Sequence, residues 1–191
     1  MKSDVFLIDI DGVACAHAKA ICKWVNKKYK INSKVEDITT WDHNFGAITF
    51  VEAARICYTD ENFILNMEVT PGFKEFFDHL TKMITVKFAS TRKDSCDATR
   101  FWIKKNFGNK FAVVFVNKKI EISFDYLLDD QPEEVMLAAC KGKTSFLLSQ
   151  PWNNNDETKT SLKHLKHAYF VEDFREIINF LNKDRFVCLI A

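Results

Sequence analysis

Val5-Phe6-Leu7-Ile8-Asp9-Ile10-Asp11-Gly12 is an apolar run that ends in two aspartates one residue apart, followed by a glycine. Such a run reads as a buried parallel strand, and a strand of this kind delivers the carboxylates behind it to the carboxyl edge of an open α/β sheet, where ligands bind. Gly12 permits a tight turn and lets a substrate approach the backbone. Taken alone, Asp-x-Asp-Gly also describes a solvated helix cap or a calcium-loop look-alike.

Three further stretches complete the pattern. Ile84-Thr85-Val86-Lys87-Phe88-Ala89 is a second strand-like run, ending in Ser90, Thr91 and Arg92. The Lys118-Lys119 pair follows the apolar stretch 111–116. Tyr126-Leu127-Leu128 is another predicted strand, and it leads into Asp129-Asp130-Gln131-Pro132, with Pro132 placed to open a helix at its first position. Each piece has a plain structural reading: a helix N-cap at Ser90 or Thr91, a solvated turn at the lysines, a cap at Asp129-Asp130. In this order, with the acids and hydroxyls each just behind a predicted strand, they compose one site.

The sequence of motifs resembles the haloacid dehalogenase superfamily of phosphotransferases, over roughly residues 5–154. Within it the chain is similar to the 5′(3′)-deoxyribonucleotidases. Asp9-Ile-Asp-Gly-Val13 matches their opening motif; Pro71-Gly72, Phe101-Trp-Ile-Lys-Lys-Asn-Phe-Gly108, Asp125-Tyr-Leu-Leu-Asp-Asp130 and Gln150-Pro-Trp-Asn153 also fit the pattern. The resemblance implies a Rossmann-like parallel sheet flanked by helices, with a small helical cap inserted after the first strand. Residues 1–13 and 70–191 would form the core and 14–69 the cap.

The chemistry implied is hydrolysis of (deoxy)nucleoside 5′-monophosphates through an aspartyl-phosphate. Phosphate monoesters repel incoming anions, so a catalyst needs positive charge around the phosphate and a nucleophile held in line. Asp9 is the expected nucleophile. Mg²⁺ is expected between Asp9, the main-chain carbonyl of Asp11, Asp129 and a phosphate oxygen, since oxygen ligands suit that ion. Asp11 would act as general acid and then general base, with a pKa raised by the neighbouring carboxylates. Ser90, Thr91, Lys119 and Gly12 would hold the phosphoryl oxygens. Lys119 is preferred to Lys118 because it matches the family's distance back from Asp125 and Asp129, and Asp130 is expected to orient a metal-bound water or Lys119.

Two positions depart from the nucleotidase pattern. Ser90-Thr91-Arg92-Lys93 lacks the nearby proline and adds a cation that could hold phosphate, and Gln131 stands where many relatives have arginine. The aromatics Trp41, Phe45, Phe50 and Phe63, with Trp152, offer a slot for a nucleobase, or else pack the cap helices together. Trp41 and Phe45 are the chosen base-binding pair.

At 191 residues the chain is long enough for one well-buried α/β core with an insert. Its formal charge of +1, with acids and bases mixed, gives no basic stripe for duplex binding, and no stable nucleic-acid complex is expected. Six scattered cysteines without a Cys-x-x-Cys pair point to free thiols in a reducing cytoplasm. His164 and His167 could share a helix face but lack a third zinc ligand. No run is long enough for a membrane span. Cys188-Leu189-Ile190-Ala191 has the form of a farnesylation signal; the plainer reading is an apolar strand or tail over 186–190 docking on the core. The sequence leaves a homodimer open.

The alternation after Pro71-Gly72 predicts helix 73–82, strand 84–89, helix 95–107, strands 112–116 and 125–128, helix 132–140, strand 144–148, a polar loop 153–159 and a last helix 173–182. Helix 14–30 and a largely helical, aromatic stretch 31–66 precede them. The rival readings are a phosphatase for another small ester or for nucleic-acid 3′-phosphate ends, a receiver-like phospho-acceptor module, and a catalytically silent binding relative. A receiver would carry its acceptor aspartate after the third strand and would have no aromatic insert.

Overall fold

The computed structural model describes residues 4–188, with side chains through residue 183. Six strands form one parallel sheet: β1 (Val5–Asp9), β2 (Thr85–Ser90), β3 (Ala112–Phe115), β4 (Tyr126–Asp129), β5 (Thr144–Leu148) and β6 (Ala168–Val171), in the order β3-β2-β1-β4-β5-β6. Phe6, Leu7 and Ile8 are fully buried, as a central parallel strand covered on both faces requires. Their alternation divides the core. Phe6 and Ile8 pack with Phe73, Phe76, Phe88 and Trp102, whereas Leu7 joins Phe124, Leu127 and Ala138.

The chain winds outward from β1 through β2 to β3, then returns to lay β4 on β1's other side. The strand order therefore reverses between β1 and β4, and a crevice opens there at the carboxyl ends. Asp125 fixes the register. Its carboxylate accepts from the Val5 N–H at 2.9 Å, and its own N–H donates to the Val5 carbonyl at 2.9 Å.

Among the described residues eight helices accompany the sheet: α1 (His17–Tyr29), α2 (Phe50–Tyr58), α3 (Glu61–Leu65), α4 (Phe73–Leu80), α5 (Cys96–Phe107), α6 (Pro132–Cys140), α7 (Asp156–Lys163) and α8 (Phe174–Cys188). Local chemistry sets their starts. Thr49 and Glu52 cap α2 reciprocally, and Pro132 occupies the first turn of α6. α1 starts later than Ala14 because the turn after β1 continues to Ala16, held by Cys15 N–H to Ile10 and Ala16 N–H to Glu68.

The insert is less helical than its aromatic pattern predicts. Between a short 3₁₀ turn at Val35–Asp37 and α2 the chain is irregular, because Thr39, Thr40, Asp42, Asn44 and Gly46 favour turns; the Asn44 side chain accepts from Gly46 N–H at 2.7 Å. Ile21, Val25, Ile38, Phe45, Phe50, Ala53 and Cys57 pack together there, joined by Trp152 from the loop after β5.

Four corrections fall in the last third. The polar stretch 153–159 is a loop only at its start, since Asn155 caps α7 by accepting from Thr158 N–H at 2.8 Å. Strand β6 follows. His164 ends α7 and His167 lies beyond it, so the two do not share a helix face. α8 continues to Cys188, which excludes a strand beginning at Phe186; residues 189–191 of the farnesylation-like tail lie outside the described residues.

Candidate active site

β1 ends in Asp9 and β4 in Asp129, with Asp130 next in the chain, so the switch point gathers three carboxylates. One oxygen from each lies within 4.8 Å of the others, and all three side chains are buried. Lys119, at the start of a 3₁₀ turn after β3, is 1% exposed, and its Nζ is 2.6 Å from both Asp9 Oδ1 and Asp129 Oδ2. Lys118 is exposed. Burial tends to lower the Lys119 pKa, but the charges of Asp129 and Asp9 prevail and raise it. A single ammonium does not balance the three acids. Burial first, then repulsion among the carboxylates, raises the pKa of Asp9 and of Asp130, and Oδ2 of Asp130 is buried with no hydrogen-bond partner.

Gly12 explains how Asp130 fits. With φ of +82°, an added Cβ would stand 2.2 Å from Asp130 Oδ2 and 3.1 Å from His17 Cε1. The room that Gly12 leaves on its Cβ side is taken by the Asp130 carboxylate. Gln150 Nε2 donates to the Gly12 carbonyl at 2.8 Å. Asn153 is fully buried and donates to the carbonyls of Asp130 and Leu148 at 2.8 and 2.9 Å. The Gln150–Asn153 loop thus braces both acidic turns, a role the sequence signalled only through the motif itself.

Asp11 is set apart from this group. Burial alone would raise its pKa, yet the net shift is downward, because Arg92 and then His17 favour the carboxylate, and Arg92 also donates a hydrogen bond to it. This corrects the expectation of a raised pKa: Asp11 is held ionised by Arg92, the cation expected to be able to hold phosphate. Ser90 is buried at the end of β2, and its Oγ accepts from the Arg92 N–H at 3.0 Å.

Asp9, Asp11, Ser90, Thr91, Arg92 and Gln131 share a cavity of about 220 Å³ with His17, Trp41, Phe50 and Tyr58. Trp41 lines it. Phe45 does not: it is buried in the insert's own core, its ring 4.8 Å from that of His43, which corrects its assignment to a binding wall. The ring centroid of Trp152 lies 5.3 Å from that of Trp41 and 5.6 Å from that of His17. Burial lowers the pKa of His17 to about 4, so its ring is neutral at pH 7. His17 was not among the expected site residues, although a histidine amid the small apolar residues 13–18 stands out. A larger groove of about 570 Å³, beside Phe76 and Phe174 of α4 and α8, contains none of these groups.

A parallel sheet whose switch point collects these acids, a hydroxyl and a lysine defines a hydrolase of the haloacid dehalogenase superfamily. Solved structures agree on the fold. A haloacid dehalogenase-like hydrolase from Streptococcus pneumoniae superposes with a TM-score of 0.64 at 10% identity, covering 94% of this chain and 98% of its own. A family hydrolase from Deinococcus radiodurans, solved with bound phosphate and sodium, gives 0.63 at 12% identity over 95% and 96%. L-2-haloacid dehalogenase from Xanthobacter autotrophicus gives 0.57 at 10% over 95% and 99%. Comparison with curated proteins gives no match.

The family model described as 5′ nucleotidase, deoxy (pyrimidine), cytosolic type C protein matches residues 3–179. The chain belongs to this family and is a phosphate monoester hydrolase. No helix of the described residues is long and apolar enough to cross a membrane.

Proposed function

We propose that the chain is a Mg²⁺-dependent phosphatase of nucleoside or deoxynucleoside 5′-monophosphates. The observation that carries this reading is the group of Asp9, Asp129 and Asp130, an all-oxygen, under-neutralised cluster in which Asp9 and Asp129 pair with Lys119 and Asp9 lines a cavity walled by aromatics.

The cluster fits a hard divalent cation. Three buried carboxylates face one lysine, and Oδ2 of Asp130 has no partner. Asp9, Asp129 and Asp130 would hold the ion, with the Asp11 carbonyl as the resemblance implies; Asp130 moves from an orienting role to a ligating one. When bound, Mg²⁺ supplies positive charge that offsets Asp9 and the phosphoryl oxygens.

Asp9 attacks phosphorus, and the P–O bond to the nucleoside breaks. The departing oxygen takes a proton from Asp11. A water then attacks the aspartyl-phosphate, gives its proton to Asp11, and releases phosphate with Asp9 restored. The ionised state of Asp11 in the free chain suits this second half. For the first half, the arriving phosphate dianion favours protonation of Asp11, since negative charge raises a nearby carboxylate's pKa. Lys119 and Ser90 hold phosphoryl oxygens, with Thr91 beside them in the cavity.

Residues 14–69 act as a cap over the site. Trp41, His17 and Phe50 form its slot for a base, with Trp152 packed against Trp41 and His17, and Phe45 supports them from behind. Stacking is worth about 1–3 kcal/mol per base, which corresponds to roughly a tenfold to hundredfold preference in kcat/KM for nucleotides over sugar phosphates. Trp41→Ala is expected to remove that preference while largely sparing phenyl phosphate. A loss shared equally by every substrate would show that Trp41 only holds the cap together.

Release of phosphate from a panel of nucleotides, sugar phosphates and 3′-phosphorylated oligonucleotides, with and without Mg²⁺, tests the reading; undiminished hydrolysis in excess chelator would sink the metal requirement. Stability gives a second readout. The raised pKa values of Asp9 and Asp130 stabilise the metal-free chain below the ordinary carboxylate pKa near 4, and this contribution is lost as pH rises toward their folded values. Mg²⁺ is therefore expected to raise Tm more at pH 8 than at pH 5. Equal shifts at both pH values would remove these two acids from the metal site.

A further inference from the structure

We propose that Arg92 is a positioning residue, which fixes Oδ1 of Asp11 so that Oδ2 carries the proton to and from the reacting oxygens. The proposal rests on the acid/base role given to Asp11 above.

The Arg92 side chain is 3% exposed and held from three directions. Its Nη1 donates to Thr99 Oγ1 on α5 at 2.8 Å, and the Thr99 hydroxyl in turn donates to the Ser95 carbonyl at 3.0 Å. Its guanidinium carbon lies 4.1 Å from the ring centroid of Tyr58, at the end of α2, and its main chain is tied to Ser90 Oγ. The Ser95 hydroxyl donates to the Tyr58 carbonyl at 2.7 Å, so ring and loop are pinned together. A planar guanidinium fixed in this way presents Nη2 in one direction, and there it meets Oδ1 of Asp11.

The two oxygens of Asp11 are treated unequally. Oδ1 takes both Arg92 and the Cys15 thiol, whereas Oδ2 accepts no hydrogen bond from the described residues, and Asp11 lines the substrate cavity. In the first half-reaction the Oδ2–H bond breaks as the leaving oxygen gains its proton. In the second, Oδ2 takes the proton of the water whose oxygen bonds to phosphorus. Lysine would keep the charge but could not bridge Thr99 and Asp11 in one plane, so this site uses arginine for its shape.

The test compares wild type, Arg92→Ala, Arg92→Lys, Thr99→Val and Asp11→Asn on an alkyl phosphate ester and on p-nitrophenyl phosphate, whose leaving group needs no proton. Arg92→Ala is expected to lower kcat on the alkyl ester by about 10- to 100-fold, with KM changed less than about threefold. In the first-turnover release of alcohol or nitrophenol the loss should be smaller on the aryl ester, the pattern expected of Asp11→Asn, since the later step needs Oδ2 for both esters. Millimolar guanidinium should restore part of the rate, and Thr99→Val, which keeps the arginine, should show a milder form of the same pattern. A rise in KM at unchanged kcat would make Arg92 a phosphate ligand and overturn the proposal, as would equal losses on both esters in the first-turnover release of alcohol or nitrophenol in a variant that melts normally. If Arg92→Ala does not fold, Arg92→Lys and Thr99→Val decide by the same criterion. A wild type inactive on every ester refutes the phosphatase reading, and this proposal with it, before any variant is compared.

Discussion

Asp9→Asn is expected to abolish turnover, with a loss on the order of 10⁴-fold or more, the scale on which removing a nucleophile acts in a cooperative site. The amide neither attacks phosphorus nor offers the metal a charged oxygen. The fold should survive. In the metal-free chain burial and repulsion already disfavour the charge on Asp9, and Lys119 keeps Asp129 as a partner, so Tm without Mg²⁺ should be no lower than that of wild type. A burst of alcohol product without phosphate release should be absent in the variant. Turnover retained in a preparation shown by mass to be free of wild type would take the nucleophile role from Asp9.

The second large effect belongs to Gly12→Ala. A left-handed backbone costs alanine roughly 1–2 kcal/mol, and here the new methyl would also stand 2.2 Å from the Asp130 carboxylate. The turn cannot retreat easily. Its N–H donates to Cys15 and its carbonyl accepts from Gln150. A total loss of about 2–4 kcal/mol is expected, together with weaker Mg²⁺ binding as Asp130 is pushed out of the group. Thermal melts with and without Mg²⁺ measure both. A variant as stable as wild type, with unaltered metal response, would mean that Asp130 has room elsewhere and does not belong to the metal group.

The strand ends were legible because the signal is local: an apolar run buried on both faces, then an acid, as at Ile8-Asp9 and Leu128-Asp129. The partners of those acids were not. That Arg92 pairs with Asp11 depends on where α5 and Tyr58 hold the guanidinium, and 81 residues separate the two. Phe45 and Trp41 look alike in sequence, and only packing sends one into the core and the other to the cavity. α7 escaped notice because Leu162 is its one buried side chain, which leaves no apolar period to read. Its Asn155 cap, followed by Asp156 and Glu157, carried the missing information. β6 has four residues at the sheet edge and follows a histidine-rich turn, too short a run to separate from a loop.

The central place of β1 has a consequence for synthesis. It is made before both of its neighbours, which end at Ser90 and Asp129, with the aromatic insert emerging between. At about 5–20 residues per second, Val5–Asp9 waits roughly 6–25 s for its second partner to be translated. During that interval an apolar strand with both edges open is vulnerable to association with other nascent chains, so the hydrophobic segment that delivers Asp9 is also where a chaperone would be expected to bind.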